Sequence, residues 1–227
     1  MTAPGSDREP LPAALREAVR RDLAPVMPLA PPAKRALALA FPAFAVLAVA
    51  LIVLARGTGG ARVVSLAGGG VSLLEWLAGF GLLWLALREA VPGLGVGAGR
   101  ALAAIAGGVA LQLLLGLLIW QRTGAALSGP GTLAGGSQCA SIAGAIGLPH
   151  LAIATWLALR ALPIRPRFSG ALAGAAAGLL ADSIWHLGCA RNDLEHLLVW
   201  HFGATLAMTL LGAVSGSFWP RRLEARR

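Results

Sequence analysis

Six uninterrupted apolar blocks leave this chain few choices of fold. They run 36–55, 71–90, 101–120, 140–162, 168–187 and 197–218. Each is near the ~20 residues that a helix needs to cross a ~30 Å hydrocarbon layer. The clearest ends in the run Leu111-Gln112-Leu113-Leu114-Leu115-Gly116-Leu117-Leu118-Ile119-Trp120, and the second holds Glu75 inside it. Charged residues make up only 13% of the chain, about half the share usual in a soluble domain. A β-barrel would show ~10-residue segments alternating apolar and polar residues, and no such segments are visible. The expectation is an all-α, polytopic membrane protein with six transmembrane helices in a bundle.

The basic residues orient it. With the N-terminus inside, Arg8, Arg16, Arg20, Arg21, Lys34, Arg35, Arg88, Arg100, Arg160, Arg165, Arg167, Arg221, Arg222, Arg226 and Arg227 all fall on the cytoplasmic side. Only Arg56, Arg62, Arg122 and Arg191 fall outside. The positive-inside rule therefore selects an N-in, C-in arrangement. The net charge of +9 is accounted for by topology and anionic lipid, with no direct nucleic-acid partner implied. The expected organisation is a cytoplasmic tail over 1–35, a six-helix membrane domain over 36–219 and a basic cytoplasmic tail over 220–227. The first apolar block is full length and lacks a small-residue cleavage site, so it is expected to remain as an anchor rather than be removed as a signal peptide.

The N-terminal tail has a pattern of its own. After Pro10 and Pro12, Leu11, Leu15, Val19 and Leu23 recur at every fourth residue, the spacing of one apolar helical stripe. Arg16, Arg20 and Arg21 flank it, with Glu17 and Asp22 interspersed, and Pro25, Pro28, Pro31 and Pro32 end the helix. A stripe this short cannot bury itself alone. It docks either on the membrane surface or in the groove of a partner protein, and the mixed charge favours the protein.

The two cysteines are Cys139, just before the fourth block, and Cys189, just after the fifth. In the N-in arrangement both face the compartment outside the cytoplasm, which in a bacterial envelope is oxidising. A disulfide between them is one reading; two unrelated small residues near helix ends is the other. Along the fifth block Gly170, Gly174, Gly178, Asp182 and His186 are spaced by four and share one face. The glycines read as a close-packing seam, and Asp182 on that seam points into the bundle, with His186 as its nearest partner. Cys139, Cys189, His186 and His196 could together hold a soft metal ion, although their spacing matches no zinc signature. His150, His201 and Glu75 are expected to hydrogen-bond between helices. The glycine-rich stretches 57–70 and 129–136 read as connectors. Walker-type, Gly-x-Ser-x-Gly, His-Glu-x-x-His and Cys-x-x-Cys motifs are absent, and no enzymatic activity is expected.

Several of these segments also carry a likeness. The tail Leu15-Arg16-Glu17-Ala18-Val19-Arg20-Arg21-Asp22-Leu23-Ala24-Pro25-Val26, Val91-Pro92-Gly93, and Leu159-Arg160-Ala161-Leu162-Pro163-Ile164-Arg165-Pro166 with Gly170 and Gly174 are its main carriers. With Cys139, Cys189 and Trp200, they make nearly the whole chain resemble the NrsF-type (negative regulator of sigma-F) anti-sigma factors, six-span proteins of Gram-negative bacteria. Leu198-Val199-Trp200-His201 departs from the family, which commonly has an aromatic residue after the Trp. The resemblance implies a multi-pass protein of the bacterial inner membrane whose tail sequesters an extracytoplasmic-function sigma factor. Leu11, Leu15, Val19, Arg20, Asp22, Leu23, Pro25 and Val26 would make the contact. Cys139 and Cys189 would sense heavy-metal or oxidative stress, with no cofactor beyond a transient metal ion. The rival expectation is a small metal or ion transporter in which Asp182, Glu75, His150 and His201 line a pathway through the bilayer.

Overall fold

The structure, a computed structural model, describes residues 12–22, 29–56, 69–123, 132–189 and 191–218. It is all-helical over these residues. A short helix, α1 (Ala13–Asp22), is followed by six long ones: α2 (Pro32–Arg56), α3 (Val71–Glu89), α4 (Ala98–Thr123), α5 (Thr132–Leu159), α6 (Pro166–Gly188) and α7 (Leu194–Ser217). Each of the six is long and apolar enough to cross a membrane. Their even number returns the chain to the side from which α2 starts.

Helix α1 begins at Pro12, whose carbonyl accepts the Leu15 and Arg16 N–H groups at 3.0 and 3.1 Å. Its stripe is uncovered, with Leu15 48% and Val19 47% exposed. Arg20 is exposed in its last turn, which Asp22 closes. Leu11, Leu23, Pro25, Val26 and the 220–227 tail lie outside the described residues.

Three expected boundaries are corrected. The fourth span starts at Thr132, so part of the glycine-rich 129–136 connector is helical and Cys139 sits inside a helix rather than before one. That helix ends at Leu159 rather than at 162, and Leu162 then turns the chain with a φ of 54°. The last span starts at Leu194, where Asp193 caps it by accepting the His196 N–H at 3.0 Å.

Helix α6 is the axis of the bundle and touches each of the other five spans. It is buried almost end to end, from Ser169 through Leu187. Its run of Ala and Gly residues makes this possible, because only a slim helix can have neighbours on every side. Ser169 adds a hydrogen bond to the Ala86 carbonyl of α3 at 3.1 Å. Against α7 the approach is closest of all. A Cβ at Gly170 would lie on the Gly212 carbonyl oxygen, one at Gly174 on the Met208 carbonyl oxygen, and one at Gly178 against Thr205.

At the end of the bundle where α2 begins, Glu89 organises the connection between α3 and α4. Its carboxylate accepts the Val96 N–H at 2.6 Å and the Gly97 N–H at 3.3 Å. It also pairs with Arg165 Nε at 2.9 Å, joining this connection to the start of α6. The Glu89 side chain is 1% exposed and that of Arg165 39%. Glu89→Ala strands two backbone donors and is expected to lower stability by about 1–3 kcal/mol. Arg165→Ala should cost less, since its guanidinium stays partly in water and Glu89 keeps both amides. Denaturation midpoints of the two purified variants, compared side by side, check the order.

Candidate functional site: a buried thiol–imidazole cluster

The opposite end of the bundle brings together two thiols and an imidazole. Cys139 comes from the start of α5, Cys189 from the cap of α6 and His196 from the first turn of α7. The two sulfurs are 3.6 Å apart, and Cys189 Sγ is 3.2 Å from His196 Nε2. One ligating atom from each of the three lies within 4.8 Å of the others. Both cysteines are free thiols, and Cys189 and His196 are buried. Disulfide formation would require the sulfurs to close to about 2.05 Å.

Burial works against ionisation of Cys189, but its interactions with His196 and then His201 outweigh this and bring the thiol down to about 5. A free thiol titrates near ~8.5. At neutral pH Cys189 is therefore a thiolate, the form that binds soft metal ions and attacks disulfides.

Deeper in the bundle a polar cluster continues from this group. His201 Nδ1 lies 2.5 Å from Asp182 Oδ1, and Gln112 Nε2 donates to Asp182 Oδ2 at 2.7 Å. Glu75 of α3 also interacts with Asp182, and all four residues are buried. They border a cavity of about 20 Å³, which is room for a single water. His186 meets the His201 ring edge-on, with centroids 5.6 Å apart.

Of the four residues in the sequence-derived metal set, the structure brings Cys139, Cys189 and His196 together, while His186 stands outside that group against His201. For Asp182, the ion pair is made by His201, which periodicity along α6 could not reveal because it lies on another helix. The cause is a π-helical turn, Leu197–Phe202, inside α7. In an α-helix, residues five apart point about 140° away from each other at 3.6 residues per turn. The wider turn, with its i→i+5 hydrogen bonds, brings such residues nearly into line. His196 and His201 thus meet, with ring centroids 5.2 Å apart. Gln112 was also missed; a lone polar residue in the otherwise apolar end of α4 was the available signal. His150 does not bridge helices through Nδ1, which contacts the Ile146 carbonyl of its own helix at 2.7 Å, next to Pro149 inside that helix.

A six-span helical bundle that hides thiols and imidazoles at one end and carboxylates behind them is a polytopic membrane protein with a soft-donor site. The chain belongs to the NrsF family, described as negative regulator of sigma F, whose family model matches residues 20–221. The match takes in all six spans and the whole cluster, but only the last turn of α1. The chain matches none of the curated proteins and none of the solved structures with which it was compared. The family description points to a sigma factor as the partner and to negative regulation as the role.

Proposed function

We propose that this chain is an anti-sigma factor of the bacterial inner membrane, with both tails in the cytoplasm. Its N-terminal tail sequesters an extracytoplasmic-function sigma factor, and a heavy-metal or oxidative signal at Cys139 and Cys189 releases it. The observation that carries the reading is the 3.6 Å approach of two thiols from different spans, at the end of the bundle opposite the start of α2. Two thiols and an imidazole suit a thiophilic cation such as zinc or cadmium. Oxidation would instead join the Cys189 thiolate to the Cys139 thiol, with two electrons and the one remaining thiol proton passing to an external oxidant.

Either event ties α5 to α6 more firmly. Because α6 touches every other span, a change in its packing would reach the 160–165 connection and the root of the tail. Driving a two-state element from 1:99 to 99:1 takes about 5.5 kcal/mol of differential stabilisation, within the range of metal coordination by thiolates.

Two variants of the full-length protein test the halves separately. Leu15→Asp/Val19→Asp should raise sigma-dependent transcription without inducer. Cys139→Ser/Cys189→Ser should keep it repressed when inducer is added. Repression by the tail variant equal to wild type removes the docking role, and normal induction in the cysteine variant removes the sensing role.

The rival, an ion pathway, draws on the buried Glu75, Asp182 and His201. A cavity of about 20 Å³ suits a fixed polar joint better than a conduit. Metal flux in proteoliposomes that is lost in Asp182→Asn would reverse that preference.

A further inference from the structure

His201, expected from the sequence to hydrogen-bond between helices and found to do so with Asp182, has unused chemistry. Asp182 holds His201 at Nδ1, and Gln112 holds Asp182 in turn. The other ring nitrogen, Nε2, is buried and makes no well-formed hydrogen bond among the described residues, in a side chain only 4% exposed, while the ring interacts with the Cys189 side chain. A buried donor or acceptor left unmatched is normally selected against. Here the orphan belongs to a ring that meets His196, whose own Nε2 is 3.2 Å from the Cys189 sulfur. An imidazole held through Nδ1 by a carboxylate presents Nε2 in a fixed direction, and a binding metal ion takes the place of the proton that Nε2 carries in the ion pair with Asp182. That is the arrangement in which histidines bind metal ions, the carboxylate setting both tautomer and ring orientation.

We infer that His201 is the fourth ligand of a thiophilic divalent cation, completing with Cys139, Cys189 and His196 a Cys₂His₂ site of the zinc or cadmium class, and that Asp182 is its positioning residue. The inference rests on the reading that a soft metal ion binds at the cysteines, and it goes beyond that reading by naming the ligand set and the transducer. Three ligating atoms, from Cys139, Cys189 and His196, already lie within 4.8 Å of one another. Tetrahedral coordination asks for a fourth from a nearby direction. The π turn brings His201 to the same side of α7 as His196; its nitrogens stand outside the 4.8 Å group, so the ring would close onto the ion when it binds. An ion bound this way joins α5, α6 and α7 directly, and reaches α4 through Asp182 and Gln112. The cation therefore grips the α6–α7 pair, the closest helix contact in the bundle, and not only the loose outer connections.

The test is titration of the full-length protein in detergent with Co²⁺, whose visible absorption is intense in four-coordinate sites and weak in six-coordinate ones. Wild type should take up one ion with the intense bands, and Cys139→Ser/Cys189→Ser should lose both bands and uptake. His201→Ala alone would leave the Asp182 carboxylate unpaired, so it is combined with Asp182→Asn. The double variant, with its helicity checked by circular dichroism, should lose the intense bands and bind at least 10-fold more weakly. Asp182→Asn alone should keep the bands and weaken binding by about 10- to 100-fold. Wild-type bands and affinity in the double variant overturn the ligand assignment while leaving metal sensing at the cysteines intact. An absence of Co²⁺ uptake by wild type, or equal uptake by the cysteine variant, overturns the ligand assignment and the metal reading together.

Discussion

Gly174→Leu is expected to part α6 from α7 and to lower the stability of the bundle by more than about 3 kcal/mol, at or beyond the upper end of ordinary overpacking losses. The reason is what stands opposite the glycine. A Cβ at position 174 would fall on the Met208 carbonyl oxygen, and the reciprocal contacts are of the same kind, Gly212 against the Gly170 carbonyl and Gly216 against the Pro166 carbonyl. A side chain in the way can change rotamer, but a helix backbone cannot, so the whole helix must move. In lipid no hydrophobic drive restores the pair, because tails solvate apolar helices as well as neighbours do. Gly107 on α4, where a Cβ meets nothing within 4 Å, is the control, and Gly107→Leu should leave stability nearly unchanged. Unfolding midpoints in mixed micelles, with protease sensitivity as a second readout, measure both. Equal midpoints for wild type and Gly174→Leu would show that the seam is not in contact.

The second large effect is asymmetric. His201→Leu should destabilise the protein by about 3–5 kcal/mol, because removing one partner of a buried ion pair leaves the other charge without compensation. Among the described residues, the groups that reach Asp182 are Gln112, Glu75 and the histidines, and Glu75, as a second carboxylate, cannot replace a cation. Asp182→Leu/His201→Leu removes both charges and should recover most of the loss, because well-packed apolar substitutes for buried pairs are often neutral or better. A double-mutant cycle on unfolding free energies reads the coupling directly. Additive losses, with the double variant worse than either single one, would mean that the pair does not form.

These two predictions fall on residues that were unequally legible. The repeat Gly170, Gly174, Gly178 is visible because a helix stacks every fourth residue on one face, and the structure sets that face against α7. Asp182 continues the series, and a carboxylate inside an apolar span requires a partner. Which partner is a different question. His186 lies one turn away on the same helix and is the local choice, whereas His201 is 19 residues on and reaches Asp182 only after the chain reverses at Cys189 and α7 widens into a π turn. Nothing in the run Leu197-Leu198-Val199-Trp200-His201-Phe202 marks such a turn, since its hydrogen bonds shift register without any change in composition. The helix start at Thr132 was hidden for a similar reason. Gly129–Gly136 reads as a connector because glycine has low helix propensity, and in lipid the requirement that every backbone group be hydrogen-bonded overrides that preference.

The central position of α6 also runs against simple hydropathy. It is the least apolar of the six candidate spans and yet the most buried. Lipid exposure demands apolar side chains, but a helix enclosed by protein needs small ones. Alanine and glycine satisfy the second demand while scoring poorly on the first.

By itself the sequence determined the six crossings, the all-helical class, the small-residue face of α6 and the amphipathic stripe of the tail. These follow from local quantities: the length of an apolar run, the pitch of a helix and the side-chain period along it. Only the tertiary structure decided that Cys139 and Cys189 stand 3.6 Å apart, that His196 joins them, and that Asp182 belongs to His201. Each of those is a contact between helices, set by how closely two backbones approach and by the register of one widened turn. A residue pattern read along a single helix contains neither quantity.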